Sequence, residues 1–332
     1  MQCHEDAYQS WSHSAHRFSS FNNGPYAKSL QETRAFLSAR DGNTQASRFC
    51  AGCHDPVPFL SGAFDDPRWD DPDYAVSEDP LGQAAITCTV CHAISHVNSN
   101  LGNAAYTMDE PQHYPFAFSE NAALQWVNRQ LVKAKPAFHK ATFLKPFHQS
   151  AEFCGTCHKV HLPVELNGYK WLRGQNHYDA FRLSGVSGHG ITSFYYPAKA
   201  QTNCKGCHMP LEEAGPGVNF GADDFAGDGR SLVHNHQFLG ANTGILHLNR
   251  DKMPDADAAI EAHREFNEGV MRVDLFGLRE EGRIDGELIA PLRPVVPEVG
   301  PGSTWLLETV IRTVKMGHVF TQGTSDSNEV WL

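Results

Sequence analysis

The chain has 332 residues, of which 41% are hydrophobic, with 28 Gly and 19 Pro among the rest. That is long enough for two domains but too loop-rich for an ordinary aliphatic core, so some other filling is required. A formal charge of -11 argues against nucleic acid or an anionic membrane as partner, since both bind basic faces. No apolar run reaches transmembrane length and no leader-like segment opens the chain.

The first element is "MQCHEDAYQSWSHSAH", in which Cys3 is the one cysteine of nine without a partner three residues away. The other eight form the pairs Cys50/Cys53, Cys88/Cys91, Cys154/Cys157 and Cys204/Cys207, each directly followed by histidine: His54, His92, His158 and His208. Two thiols at this spacing add to the two vinyl groups of one haem, and the next residue then offers its imidazole to the iron. A zinc ribbon or a dithiol redox site uses the pairs but does not need the histidine. Chance would place it after all four pairs about once in a hundred thousand. The expectation is four haem c groups and, if a cysteine precedes Met1, a fifth held by Cys3 with His4 below its iron. The absent leader fits the same truncation.

The acidic stretch "FDDPRWDDPDY" and, later, "GADDFAGDG" lack EF-hand spacing and read as solvated loops. The clearest helix is "ENAALQWVNRQLVKA", capped by Ser119, with Leu124, Val127 and Leu131 on one face and Pro136 as its stop. A second, "PDADAAIEAHREFNEG", runs from Pro254 to Gly269 and puts Ala256, Ile260 and His263 on one face; His263 serves equally as core or ligand. Beyond Gly269 the period changes to two: "MRVDL" and "TWLLETVIRTVKM" read as strands, with a turn at Pro301-Gly302. The expected fold class is therefore mainly α with much irregular loop. A haem-packed multihaem cytochrome c domain (1–250) leads through a connecting helix (251–269) to a small β-sandwich-like domain (270–332).

Nineteen histidines leave fourteen beyond the five proximal ones, and spare imidazoles are the natural ligands for the second face of each iron. The candidate distal ligands are His16, His113, His139, His148, His189, His236 and His318. His96, His161 and His177 also lie near haem segments.

The "CHEDAYQSWSHSAH" segment resembles the multihaem cytochromes c related to hydroxylamine oxidoreductase, octahaem tetrathionate reductase and the tetrahaem cytochromes of ammonia oxidisers. In that superfamily CxxCH is often followed by W-x-x-S-x-H, matched here by Trp11, Ser14 and His16, and the resemblance implies that His16 is distal. "EFCGTCHKVHLP" with the following "GCHMP" resembles the same group and implies a distal role for His189. "KMGHVFTQGT" is similar to a G-H-x-F-P-T-G segment of large multihaem cytochromes whose His caps a haem, implying that role for His318, although Thr321 and Gln322 depart from the pattern.

Two functions follow. The first is an electron carrier with closely packed bis-His haems, working with redox partner proteins or like subunits, even as a homopolymer or extracellular filament. The second is a haem oxidoreductase for small nitrogen or sulfur compounds, which needs one open iron face. No CxxCK motif of the pentahaem nitrite reductase kind is present. Haem c is attached outside the cytoplasm, so a periplasmic or extracellular protein is expected.

Overall fold

The computed structural model describes residues 3–167, 172–194, 197–215 and 220–320. Met1, Gln2 and the Thr321–Leu332 end of the C-terminal pattern lie outside them.

Each haem-type motif sits on a short helical turn, which puts Cys, Cys and His at i, i+3 and i+4 on one side. These turns are α3 (Arg48–His54), α4 (Cys88–Ala93), α7 (Ala151–Gly155, leading into Cys157 and His158) and α9 (Lys205–His208). Three of them run directly into a strand of a two-stranded antiparallel ribbon: β1 (Ile94–Val97) with β2 (Tyr106–Met108), β3 (Lys159–Leu162) with β4 (Leu172–Asn176), and β5 (Leu211–Glu213) with β6 (Leu232–His234). The sequence reading did not find these ribbons, because each strand is only three to five residues long.

The other helices frame the motifs. α1 (Glu5–Ser12) carries Glu5 and Asp6 in its first turn, where the helix dipole favours them. Its Trp11 Nε1 donates to Ile86 O at 2.9 Å, just ahead of the second full motif. α2 (Gly24–Asp41) is capped by the Asn23 side chain, stops at Gly42 in the left-handed region (φ +70°), and buries Leu30, Arg34 and Leu37. The apolar side chains form three small clusters rather than one core. One joins Phe21, Leu30, Ala51, Phe64, Trp69 and Val76; one joins Phe18 and Leu246 to helix α10 (Ala256–Asn267); one is Ala151, Tyr178 and Phe181, the last two from α8 (His177–Leu183).

The expected helix at 120–134 is α5 (Ala122–Ala134), but Asn121 caps it in place of Ser119, and Pro136 opens a further helix, α6 (Pro136–Phe143), instead of ending the run. The α5–α6 hairpin buries no residue.

The C-terminal region differs from the expected sandwich. Among the described residues it is a single three-stranded antiparallel sheet in the order β8 (Leu288–Ile289), β7 (Met271–Glu280), β9 (Trp305–Thr313), paired from Met271↔Thr313 to Glu280↔Trp305. Alternation gives it an apolar face with Val273, Leu275, Leu307 and Ile311. The charged face carries the ion pairs Arg272–Asp274, Arg312–Asp274 and Arg279–Glu308. One apolar and one charged face is the pattern of half a sandwich, which is why period two alone suggested two layers.

The most enclosed ion pair is Arg34 with Asp70. The Arg34 side chain is 2% exposed, makes a forked contact at 2.5 and 2.7 Å, and donates to Phe64 O at 3.0 Å. Removing the acid alone strands a buried guanidinium, so Asp70→Ala is expected to lower stability by about 2 kcal/mol, discounted for the part-exposed carboxylate. Arg34→Met, which removes the charge, should cost less; the order of the two denaturant midpoints checks this.

Candidate haem sites

Three of the five proximal-type histidines share one local device. His54 Nδ1 donates to Ser19 O at 2.9 Å, His92 Nδ1 to Phe143 O at 2.9 Å, and His208 Nδ1 to Leu239 O at 2.6 Å. A ring nitrogen facing a carbonyl carries the hydrogen, so Nε2 keeps its lone pair for a metal. Two candidate distal residues repeat it: His236 Nδ1 faces His234 O at 2.8 Å and His318 Nδ1 faces Val319 O at 3.0 Å.

Metal–imidazole bonds of about 2 Å place two rings on opposite faces of one iron with centroids roughly 6.3 Å apart. Among the described residues three histidine pairs, each of one proximal-type and one spare histidine, meet that separation. His4 and His139 are 6.2 Å apart, His16 and His158 are 6.1 Å apart, and His208 and His318 are 6.1 Å apart. His236 lies within electrostatic reach of both His4 and His92.

The other candidates are placed differently. His148 is 5.6 Å from His92, but its Nδ1 accepts from Lys145 N at 2.8 Å and its Nε2 faces Cys91 O at 3.1 Å, so both nitrogens are engaged. His113 is paired with Glu110 at 3.0 Å and packs on Phe118. His189 is exposed and follows the left-handed Gly188; among the described residues no proximal-type ring touches it. His54 packs flat against Tyr26 at 4.2 Å, and among the described residues no imidazole faces it at an iron-spanning distance. The Tyr26 hydroxyl and Ser20 Oγ both donate to Asp55, whose carboxyl burial pushes up to about 6.

Two imidazoles outside the seven distal candidates are also placed by the fold. His177 stands between His158 (5.7 Å) and His318 (5.1 Å). His263 is fully buried, with Nδ1 2.8 Å from Gly240 O and Nε2 without a protein partner. The sequence held no signal for His177 beyond its proximity to a motif, and none for the carbonyl partners, which any residue type supplies.

The sulfur atoms tie the motifs into one array. Cys53 lies beside Cys157 and Cys154 beside Cys204, and the partner thiol, followed by burial, raises Cys53 and Cys154. Burial pushes Cys50 up to about 11 and Cys91 up to about 12. None of the nine cysteines is in a disulfide, and among the described residues no three His, Cys, Asp or Glu side chains converge as a metal cluster. This donor set fits covalent c-type haem and does not fit zinc, which needs thiolates gathered at one point. Residues 103–106 bridge two motifs: Ala104 N donates to Thr156 O at 2.7 Å, and the Tyr106 hydroxyl donates to Gly52 O. A Cβ on Gly52 would lie 2.6 Å from Ala104 Cβ, which accounts for glycine inside "CAGCH".

Desolvation lowers the imidazoles: His16 and His92 to about 4, His158 and His177 to about 3. His158 is exposed by surface area and yet strongly desolvated; a ring lining an internal cleft satisfies both, and desolvation then governs its protonation. All four are neutral near pH 7, as ligation requires.

In comparison with known proteins, residues 1–93 match the model of the family described as cytochrome c554 and c-prime. The chain has no significant match among curated proteins or among solved structures.

Two outcomes are expected. Gly52→Ala should lower the share of protein carrying its full haem complement, read by intact mass, because Ala104 is held by backbone bonds and cannot retreat freely. The depressed imidazoles also set an acid limit. The unfolded chain takes up protons near pH 6.5 while these folded rings resist until about 4 to 3, so their stabilising contribution is present above pH 6.5 and is lost as pH falls through 4. Denaturant midpoints measured from pH 8 to 4 should therefore decline below 6.5; a rise on acidification would contradict the assignment.

Proposed function

We propose that the chain is an electron-transfer cytochrome holding haem c at Cys50/Cys53, Cys88/Cys91, Cys154/Cys157 and Cys204/Cys207, with a fifth at Cys3 and His4. The observation that carries this reading is the set of three histidine pairs at 6.1 to 6.2 Å. The proposed axial pairs are His4 with His139, His158 with His16, and His208 with His318. His92 takes His236 in preference to His148, whose nitrogens are both bonded. Carbonyl-anchored imidazoles, as at His92 with His236 and His208 with His318, suit electron exchange without a bound substrate.

Adjacent motifs share thiol contacts, which supports a continuous route from the His54 site through the His158 site to the His208 site. Electrons pass between redox partner proteins or like subunits. Covalent haem of this type is attached outside the cytoplasm, giving a periplasmic or extracellular location. Among the described residues no helix is long and apolar enough to cross a membrane.

One observation favours a second reading at a single site. His54 is backed by Tyr26 and the buried Asp55, and among the described residues no imidazole ring is in contact with it, although His16 and His158 lie within electrostatic reach. A haem there would keep an open face, as an oxidoreductase for small nitrogen or sulfur compounds requires.

Electron paramagnetic resonance of the oxidised protein separates the readings. The carrier reading expects low-spin signals from the paired sites, and His16→Ala should convert one haem equivalent to high spin without changing the haem count. A wild-type spectrum with several high-spin haems would overturn the axial pairs. A single high-spin haem that shifts on adding nitrite or hydroxylamine would favour chemistry at His54.

A further inference from the structure

The α5–α6 hairpin has a charge opposite to that of the molecule. Between Glu120 and Glu152 the sequence contains Arg129, Lys133, Lys135, Lys140 and Lys145 and no acidic residue, in a chain whose net charge is -11; Lys140 is paired with Asp223 at 2.8 Å and Lys133 lies over the Phe220 ring. Its surface is also aromatic: Phe118 is 80% exposed, Trp126 58% and Phe138 46%, and no residue of either helix is buried. Exposed Trp and Phe beside cations are the composition of interface centres.

The hairpin is also the wall of two haem sites. His139 on α6 faces His4 at 6.2 Å, and the Phe143 carbonyl at the end of α6 accepts from His92 Nδ1 at 2.9 Å. A protein seated on its outer surface is then separated from those sites by about one helix diameter, roughly 10 Å.

We infer that the α5–α6 hairpin is the docking surface for an acidic electron-transfer protein, and that electrons enter or leave through the haems at His4 and His92. This rests on the carrier reading. The occupant is a protein because the acidic remainder of the chain flanks the patch. A duplex or a bilayer extends beyond the hairpin and meets that like charge, whereas a compact partner engages the basic patch alone. The cations Arg129, Lys133 and Lys135 set attraction and the approach rate; Trp126 and Phe118 supply the contact that is buried on docking.

The test is the rate at which the reduced, haem-loaded full chain is oxidised by ferricyanide, an anion, across ionic strength. Local control by the hairpin predicts a fast reaction that slows as salt rises and is inhibited by polyglutamate. Control by net charge predicts the opposite slope and would overturn the inference. The exposed double substitution Lys133→Glu with Lys135→Glu should cut the low-salt rate by at least about 5-fold and reverse the slope. If that variant keeps wild-type haem content and low-spin spectrum but also the wild-type rate, the docking surface is refuted and the carrier reading stands. A wild type lacking low-spin haem at the His4 and His92 sites refutes the carrier reading itself. Inhibition by anionic phospholipid vesicles as strong as that by polyglutamate would replace the protein partner with a membrane.

Discussion

A bond between an imidazole Nδ1–H and a backbone carbonyl is the interaction on which the remaining arrangement depends. His54, His92 and His208 each make it, to Ser19, Phe143 and Leu239. It fixes the tautomer and leaves Nε2 with its lone pair. It also requires that three distant segments of chain pass behind the three rings. The long-range path of the backbone is therefore tied to the haem-type motifs more than to any apolar core.

That dependence explains the packing. The buried apolar residues divide into three small clusters, each of which braces helices around the motifs and none of which fills the centre. Burying neutral imidazoles and thiols there carries a desolvation cost, visible in the depressed His158 and His177 and in the raised Cys91. Metal ligation and thioether formation are the chemistry that offsets such a cost. The same logic separates the histidines: those with Nε2 left free are suited to iron, whereas His148, bonded at both nitrogens, is suited to bracing the Cys91 carbonyl.

Polarity then divides the surface. An acidic molecule presents one basic, aromatic hairpin, and that hairpin lies over two of the candidate sites. The C-terminal sheet has its own division into an apolar and a charged face, and returns the chain so that His318 stands opposite His208.

What the sequence determined by itself was local. CxxCH is a contiguous pattern, so the chemistry of attachment could be read from five residues, and period two announced β7 and β9 because alternation is also local. The approach of His16 to His158, across 142 positions of the numbering, has no local signature, since any of fourteen spare histidines has the right side chain. Only tertiary structure set His139 and His318 near the His4 and His208 rings and His113 and His189 away from them, because a ring's neighbours depend on the long-range path of the chain. The expected incomplete sandwich over 270–332 is represented among the described residues by one sheet: alternation defines the faces of a strand, but the number of layers is set by what packs against them.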